Sequence, residues 1–361
     1  MLLCPLCKSR QTRLRWPGLR DRLFRTTDEH FDLWRCDACS AHFLDPMPSL
    51  AKLAGYYPDD YWVGPRNRRP GRLSQHGLLE IYRRLTLRDH VQFARTVLEG
   101  QRARDQRVQV LDVGCGDGSF LEALGEPDCI GLDLSLPALR AVRARGIRAV
   151  RGMPSASPLR PGTFSLVTAF HFLEHVYPIE PVVAALRALL APGGELVVQV
   201  PNSESWQAKL LGRYWSGYDV PRHLIDYDEQ SLCRTLERCG FSVVTTNHHC
   251  VRDNPTTIAN SLIPSCYPPA RLSREGGTSG IGGTLAVGWA IVIARTPTDS
   301  SVVTSAVPPY DTSGSGMPVS GARPSTAARL IAASPEMSTV MPAARRLPNG
   351  SLQARAMRKP A

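Results

Sequence analysis

One stretch restricts the fold of this chain more than any other: Val110-Leu111-Asp112-Val113-Gly114-Cys115-Gly116-Asp117-Gly118-Ser119-Phe120. An apolar run ends in a turn with three glycines, and a helical pattern opens at Ser119. Such a turn lets backbone N–H groups approach a ligand, because glycine has no Cβ in the way. Downstream the texture repeats. Residues 129–132 read as a strand ending in Asp133, 137–145 as a helix closed by Gly146, and 147–150 and 164–170 as further strands. Val182, Val183, Leu186, Leu189 and Leu190 keep helical spacing up to the stop Pro192-Gly193-Gly194, before a strand at 195–200. A helix carrying Leu232 and Leu236, capped by Asp226 or Asp228, leads to strands at 241–245 and 284–294. This alternation predicts an α/β fold, a Rossmann-like doubly wound, mostly parallel sheet with helices on both faces.

The turn also speaks to its ligand. A dinucleotide fingerprint needs glycine three residues after Gly116, where this chain has Ser119. Asp112 and Asp117 flank the turn, and paired carboxylates repel a pyrophosphate while favouring a cation. Asp133 follows Asp112 by 21 positions and ends the second strand, where a carboxylate can accept from both hydroxyls of a ribose. The turn therefore suits a nucleoside with a positive centre better than NAD.

These residues resemble the first two motifs of class I S-adenosylmethionine-dependent methyltransferases. Phe170-His171-Phe172-Leu173-Glu174-His175-Val176, Pro192-Gly193-Gly194 and Cys239-Gly240-Phe241 resemble later motifs of the members similar to ubiquinone-pathway enzymes. The similarity covers roughly 108–294. It implies that Gly114 and Gly116 line the methionine part of S-adenosyl-L-methionine, Asp133 the ribose, Met153 and Pro154 the adenine, and Phe170 and His171 the far wall, with Asp112 and Leu134 also among the cofactor-binding residues. Met153 stands where relatives usually carry an acid, and Ser165 replaces a common Asp. His171 and His175 also read as hydrogen-bonded histidines at a helix start, and Glu174 as a partner for helix N–H groups.

A second signal is Cys4-Pro5-Leu6-Cys7 with Cys36-Asp37-Ala38-Cys39. Two such knuckles close a tetrahedral thiolate site for a structural Zn2+, disulfides and free thiols being the alternatives. Phe43-Leu44-Asp45-Pro46-Met47-Pro48 and Tyr56-Tyr57-Pro58-Asp59-Asp60-Tyr61-Trp62 resemble the link in bacterial methyltransferases that carry an amino-terminal zinc ribbon, as a lid or a packed seam. Asp219-Val220-Pro221-Arg222-His223-Leu224 resembles a segment of the same group, beyond the carboxyl ends of the strands. It offers His223 as general base with Asp219 to orient it, Arg222 for a phosphate or carboxylate, and His175 as the next candidate base; bracing of the loop is the plainer role.

Of the 361 residues, 1–110 carry a net charge of +8, 111–296 of −1 and 297–361 of +4. The expected domains are a zinc ribbon at 1–45, a linker with helices at 46–107, the methyltransferase domain at 108–295 and a disordered Pro/Ser/Ala-rich tail at 296–361. No apolar run approaches a membrane span and no signal peptide is read, so a cytoplasmic enzyme is expected. The expected acceptor is a small molecule, a sugar or a glycan or lipid intermediate. Two other readings stand beside it: an RNA methyltransferase gripping phosphates with Arg10, Arg13, Arg15, Arg20, Arg22 and Arg25, and a catalytically silent cofactor-binding protein.

Overall fold

The computed structural model describes residues 2–58, 75–104, 107–247, 261–262 and 289–297. They belong to a unit spanning Met1–Thr304, and the second unit, Ser305–Ala361, lies outside them. So do Tyr61 and Trp62 of the linker and residues 298–361 of the expected tail.

The amino-terminal segment forms three antiparallel strands, β1 (Thr12–Leu19), β2 (Phe31–Cys36) and β3 (His42–Asp45). Two helices follow, α1 (Leu50–Gly55) and the 29-residue α2 (Gln75–Ala103). The α/β part then runs β4 (Val110–Val113), α3 (Ser119–Leu124), β5 (Cys129–Asp133), α4 (Leu136–Ala144), β6 (Arg148–Arg151), β7 (Phe164–Phe170), α5 (Ile179–Leu189) and β8 (Leu190–Pro201). Next come α6 (Trp206–Leu211), the two-residue β9 (Ile225–Asp226), α7 (Glu229–Arg238), β10 (Ser242–Asn247) and β11 (Trp289–Arg295).

The large sheet has seven strands in the order β10-β11-β8-β7-β4-β5-β6. Its four pairings from β6 to β8 are parallel, and β11 runs antiparallel to both neighbours. Every residue of β4 and β7 is buried, as strands covered on both faces require. The order reverses direction between β4 and β7, so the ligand crevice of such a sheet lies beyond their carboxyl ends. Helix α4 starts on Ser135, whose hydroxyl accepts from Ala138, and α7 starts on a capping box between Asp228 and Ser231.

Two boundaries differ from the sequence reading. Pro192-Gly193-Gly194 is no stop before a separate strand; it is a bulge inside β8, where pairing with β7 jumps from Phe164↔Leu190 to Leu166↔Glu195. Any Cβ on Gly194 would lie 2.8 Å from the Ala191 carbonyl oxygen and 2.9 Å from that of Phe164, which is why glycine stands there. At the far end, Thr296 is buried and its hydroxyl donates to the Ala191 carbonyl at 3.0 Å, so order continues past Arg295.

The ribbon is not a self-contained module either. β3 pairs with β9, which the α/β part supplies, and the Leu44 N–H donates to the Leu224 carbonyl at 3.2 Å. Ribbon residues Leu33, Phe43 and Leu44 share one hydrophobic cluster with Trp215, Tyr218, Leu224, Ile225 and Val200. Aromatic and aliphatic side chains at a seam bury enough apolar area to fix it, and this seam places the ribbon against the 213–227 segment.

Candidate functional site

At the end of β4 the chain enters left-handed turns at Gly114 (φ 71°), Gly116 (φ 51°) and Gly118 (φ 76°). A Cβ on Gly114 would come within 3.1 Å of the Phe172 ring, in a backbone conformation that side chains resist. Asp133 closes β5 with its carboxylate turned onto the turn: Gly116 N–H donates to Oδ2 at 3.0 Å and Ser135 N–H to Oδ1 at 2.8 Å. Burial raises its pKa against these bonds. Asp112 is buried beneath, accepting from the Thr168 hydroxyl at 2.7 Å, and burial lifts its pKa to about 7. Leu134 is 55% exposed beside Asp133, an apolar face left open at the strand end, while Pro154 is buried and Met153 half-buried after β6.

The wall formed by β7 holds residues that sequence reasoning missed. Phe170 stacks on His90 of α2 at 4.2 Å between ring centres and meets Phe120 edge-on at 5.0 Å. His90 is bonded to the side chain of Gln199 in β8, and the Gln199 backbone carbonyl accepts the His171 backbone N–H at 2.9 Å. The signal for His90 was present: with Ala94, Val97 and Leu98 it keeps helical spacing on the buried face of α2. His171 takes φ 55°, a strained value for this residue at the mouth of the crevice.

Beyond it lies a cluster of titratable side chains. One ligand atom each of Glu174, His175 and His223 fall within 4.8 Å of one another, and the two imidazoles face each other edge-on at 4.6 Å. His175 Nδ1 contacts the Arg222 carbonyl and the Tyr57 hydroxyl, both at 3.0 Å. A carbonyl only accepts, so this geometry assigns the proton to Nδ1 and the lone pair to Nε2. Burial, followed by the charge of His223, pushes the His175 pKa well below its usual value. His223 donates from Nδ1 to the Gly217 carbonyl at 2.7 Å. Burial opposes its charge, but Asp226, Asp219 and Glu174 outweigh burial and hold its pKa at about 9. Glu174 and Asp226 are buried, and no carboxylate oxygen of either has a hydrogen-bond partner among the described residues.

Three expected roles change here. His223, offered as the general base, is held protonated at neutral pH by the carboxylates around it. Asp219 does not orient the His223 ring. Its Oδ1 and Oδ2 accept from Arg222 at 2.6 and 3.0 Å, and its backbone is held at φ 27°. Arg222 is not available to a phosphate or carboxylate of an acceptor, because it is wholly buried with all five N–H groups engaged: two on Asp219, two on Asp21 at 2.8 and 3.0 Å, and one on the Tyr56 carbonyl at 3.0 Å. Its guanidinium also lies 4.3 Å over the Phe24 ring. Arg222 joins the ribbon's Asp21 to the loop carrying His223, a pairing across 201 positions that local spacing does not disclose.

In the ribbon the four cysteines converge. Cys4 and Cys39 sulfurs lie 3.6 Å apart, Cys7 and Cys36 sulfurs 3.5 Å apart, and all four fall within 4.8 Å. The knuckles repeat one geometry. Cys4 N–H donates to Ser9 O and Cys36 N–H to Ala41 O, both at 2.9 Å, and Lys8 (φ 61°) and Ser40 (φ 68°) take matching left-handed turns. Four thiolates at Zn–S of about 2.3 Å form a tetrahedron with edges of about 3.8 Å, and the sulfur separations here, from 3.5 Å to no more than 4.8 Å, bracket that edge.

A methyltransferase-domain family model matches residues 79–246. The ubiquinone biosynthesis O-methyltransferase of Bordetella bronchiseptica is 31% identical over 169 residues, 43% of this chain and 69% of that protein. Its counterpart from Methylococcus capsulatus is 35% identical over 146 residues, covering 37% of this chain and 58% of that one. Over other relatives of the same name, such as that of Pectobacterium carotovorum, the chain spans only about half of their length. Among solved structures, a methyltransferase from Archaeoglobus fulgidus is 18% identical with a TM-score of 0.41, over 62% of this chain and 100% of that one. No helix among the described residues is long and apolar enough to cross a membrane. With the glycine turn, the strand-end Asp133 and the seven-stranded order already in place, the chain belongs to the class I S-adenosylmethionine-dependent methyltransferases.

Proposed function

We propose that this protein transfers a methyl group from S-adenosyl-L-methionine to a small-molecule, sugar or glycan-type acceptor held between the carboxyl ends of the central strands and the ribbon seam. The observation that carries the reading is the pair Asp112 and Asp133 at the carboxyl ends of adjacent strands, one on each side of the glycine turn. Their chemistry suits the residues' proposed ligand: Asp112 faces the cationic amino-acid portion, Asp133 accepts ribose hydroxyls, and Leu134, Met153 and Pro154 offer an apolar surface to the adenine. When bound, the cofactor supplies an electrophilic methyl group on a sulfonium.

The chain's own part is to orient a nucleophile, exclude water and take up its proton. We assign the base to His175, whose Nε2 carries a lone pair and stays neutral at physiological pH. His223 is the positively charged neighbour that keeps it so. Arg222 and its two aspartates act as positioning residues. In the ribbon, Cys4, Cys7, Cys36 and Cys39 would hold a structural Zn2+, since four thiolates leave no open coordination position.

The test is calorimetry with S-adenosylmethionine, its demethylated product and NAD on the full chain. The first two should bind and NAD should not; NAD binding with no response to the other two overturns the reading. Mass spectrometry of cell extract incubated with enzyme and methyl-labelled cofactor would then identify the acceptor.

A further inference from the structure

The seam between ribbon and α/β part holds a solvent-facing cavity of about 450 Å³, lined by Arg20, Arg22 and His30 from the ribbon and by Arg213 and Tyr214 from the segment after α6. It adjoins a smaller one that shares Leu19, Arg20, Arg22 and Arg213 and continues to Trp215, Tyr218 and Asp219. The two together lead from open solvent toward the loop that carries Arg222 and His223.

The charge of this cavity is held in place without being neutralised. Arg22 donates to the Tyr214 carbonyl at 2.9 Å and the Ser261 carbonyl at 3.1 Å, with its guanidinium 4.9 Å over the Tyr214 ring. Arg213 donates to the Pro17 carbonyl at 3.1 Å, and Arg20 donates from Nε to His30 Nε2 at 2.6 Å. None of these acceptors is a carboxylate, and none of the three guanidiniums forms an ion pair among the described residues. Arg13, Arg35, Arg102, Arg107 and Arg148, by comparison, each pair with a carboxylate.

Carboxylates close to the cavity in sequence are directed elsewhere. Asp21, between Arg20 and Arg22, is buried on Arg222, which also occupies Asp219. Asp32 braces the rim by accepting the Gly18 N–H at 2.8 Å and is not part of the lining. Burial lowers the pKa of Arg22, Tyr214 opposes that shift, and the Arg213 charge adds to it, as expected where like charges converge unbalanced. After these bonds the terminal nitrogens of Arg20 keep all four N–H groups, and Arg22 and Arg213 keep several, in the planar forks that suit phosphate oxygens.

We propose that this cavity binds the phosphate or diphosphate group of an anionic acceptor and so places its remaining part toward His175. Three guanidiniums around one concavity match a compact, multiply charged group, and the volume accommodates a diphosphate with part of its carrier. The proposal rests on the methyl-transfer reading for what the bound molecule does, but not for the binding itself.

The experiment is calorimetry of the full chain with inorganic pyrophosphate at physiological salt, with S-adenosylhomocysteine titrated separately into each variant. The wild type should bind pyrophosphate, and the double variant Arg20→Gln/Arg213→Gln should bind it at least roughly tenfold more weakly with its cofactor affinity unchanged. Arg213→Lys, which preserves charge and minimises risk to folding, should lie between them. Arg13→Gln, which breaks a surface pair with Asp37, should change nothing. A nucleoside diphosphate and a prenyl diphosphate run in parallel distinguish the carriers: the one that binds more tightly than pyrophosphate and is displaced by it names the class. Absence of pyrophosphate binding to the wild type overturns the proposal, as does equal binding to the double variant. Tight binding of single-stranded RNA that pyrophosphate does not displace overturns it in favour of a polyanion surface. If pyrophosphate binds as expected and S-adenosylhomocysteine does not, the cavity stands and the methyl-transfer reading falls.

Discussion

His175 and His223 lie 4.6 Å apart, and at neutral pH the first is neutral and the second charged, because burial disfavours charge on both and only at His223 do carboxylates outweigh it. Asp226, Asp219 and Glu174 surround His223, whereas His175 meets a carbonyl and a hydroxyl and feels the charge of its neighbour. His175→Gln should therefore lower turnover about 10²–10⁴-fold with cofactor affinity intact, the range for loss of a general base. His223→Gln should cost less and should loosen the loop, since Gln cannot carry the charge that Glu174 and Asp226 face. The charge of His223 adds to burial in holding the His175 pKa below the usual 6.5, so the acid limb of the wild-type rate should lie below that value and should move to higher pH in His223→Gln. For the contribution of His223 to stability, the folded pKa lies above the usual 6.5, so stabilisation is full below that value and is lost as pH rises toward 9. Asp112 gives a second pH signature. Its pKa is raised to about 7 in the ligand-free protein, so binding of a cationic cofactor should tighten as pH rises through 7 and should release a proton, which calorimetry in buffers of different ionisation enthalpy reads directly. Asp133→Ala should weaken cofactor binding by roughly 2–3 kcal/mol through lost charge-assisted hydrogen bonds.

At the scale of elements, the parts of the site that follow local rules were legible and the parts made by tertiary pairing were not. The glycine turn at 114–118 and the strand end at Asp133 depend on conformations that neighbouring residues impose, and the structure places them as read; of the two offered caps, Asp226 and Asp228, it uses Asp228. β9 is only two residues long, too short for any periodicity, and exists because β3 needs a partner. Arg222 looked like a ligand-binding arginine because a sequence cannot show that Asp21 lies on the other side of it. The same holds for Pro192-Gly193-Gly194, where glycine conformations permit a bulge as readily as a break. The clamp makes its own prediction. Burial opposes ionisation of Asp21, but the Arg222 bonds overcome it and hold the pKa down at about 2. Asp21→Ala leaves a buried guanidinium half-compensated and should destabilise the fold by about 3 kcal/mol or more. The sign of the pH dependence follows. This pair stabilises the protein fully above the usual Asp value of 3.8, and its contribution disappears as pH falls through 2. In the variant that part of the acid transition should be missing from denaturation midpoints measured between those two values.

For the molecule as a whole, the ribbon and the site share one mechanical path, and a metal at its far end should be felt in the crevice. The thiolate cluster fixes both knuckles; Cys36 ends β2 and Cys39 precedes β3, which carries β9 and through it the 213–227 segment. Ser40, next to Cys39, is bonded to Asp228, the cap of α7, and Asp21 holds Arg222 from the same side. Neutral or oxidised thiols cannot close the tetrahedron, so without metal the knuckles lose the covalent restraint that a segment of this size needs. Purified protein should hold about one zinc per chain, and Cys36→Ala should release it. Amide exchange should then quicken in β3 and β9 and around Arg222, while β4, β5 and Asp133, which pair among themselves, keep their protection and the cofactor still binds. Activity should fall with the metal even though no reacting group touches it, and pyrophosphate binding at Arg20, Arg22 and Arg213 should weaken in parallel, because the cavity has one wall in each part. Full metal content in Cys36→Ala would remove the four-thiolate site. Metal loss with unchanged exchange at 222–226 would show instead that the hydrophobic seam of Phe43, Leu44, Trp215 and Tyr218 holds the two parts in register without it.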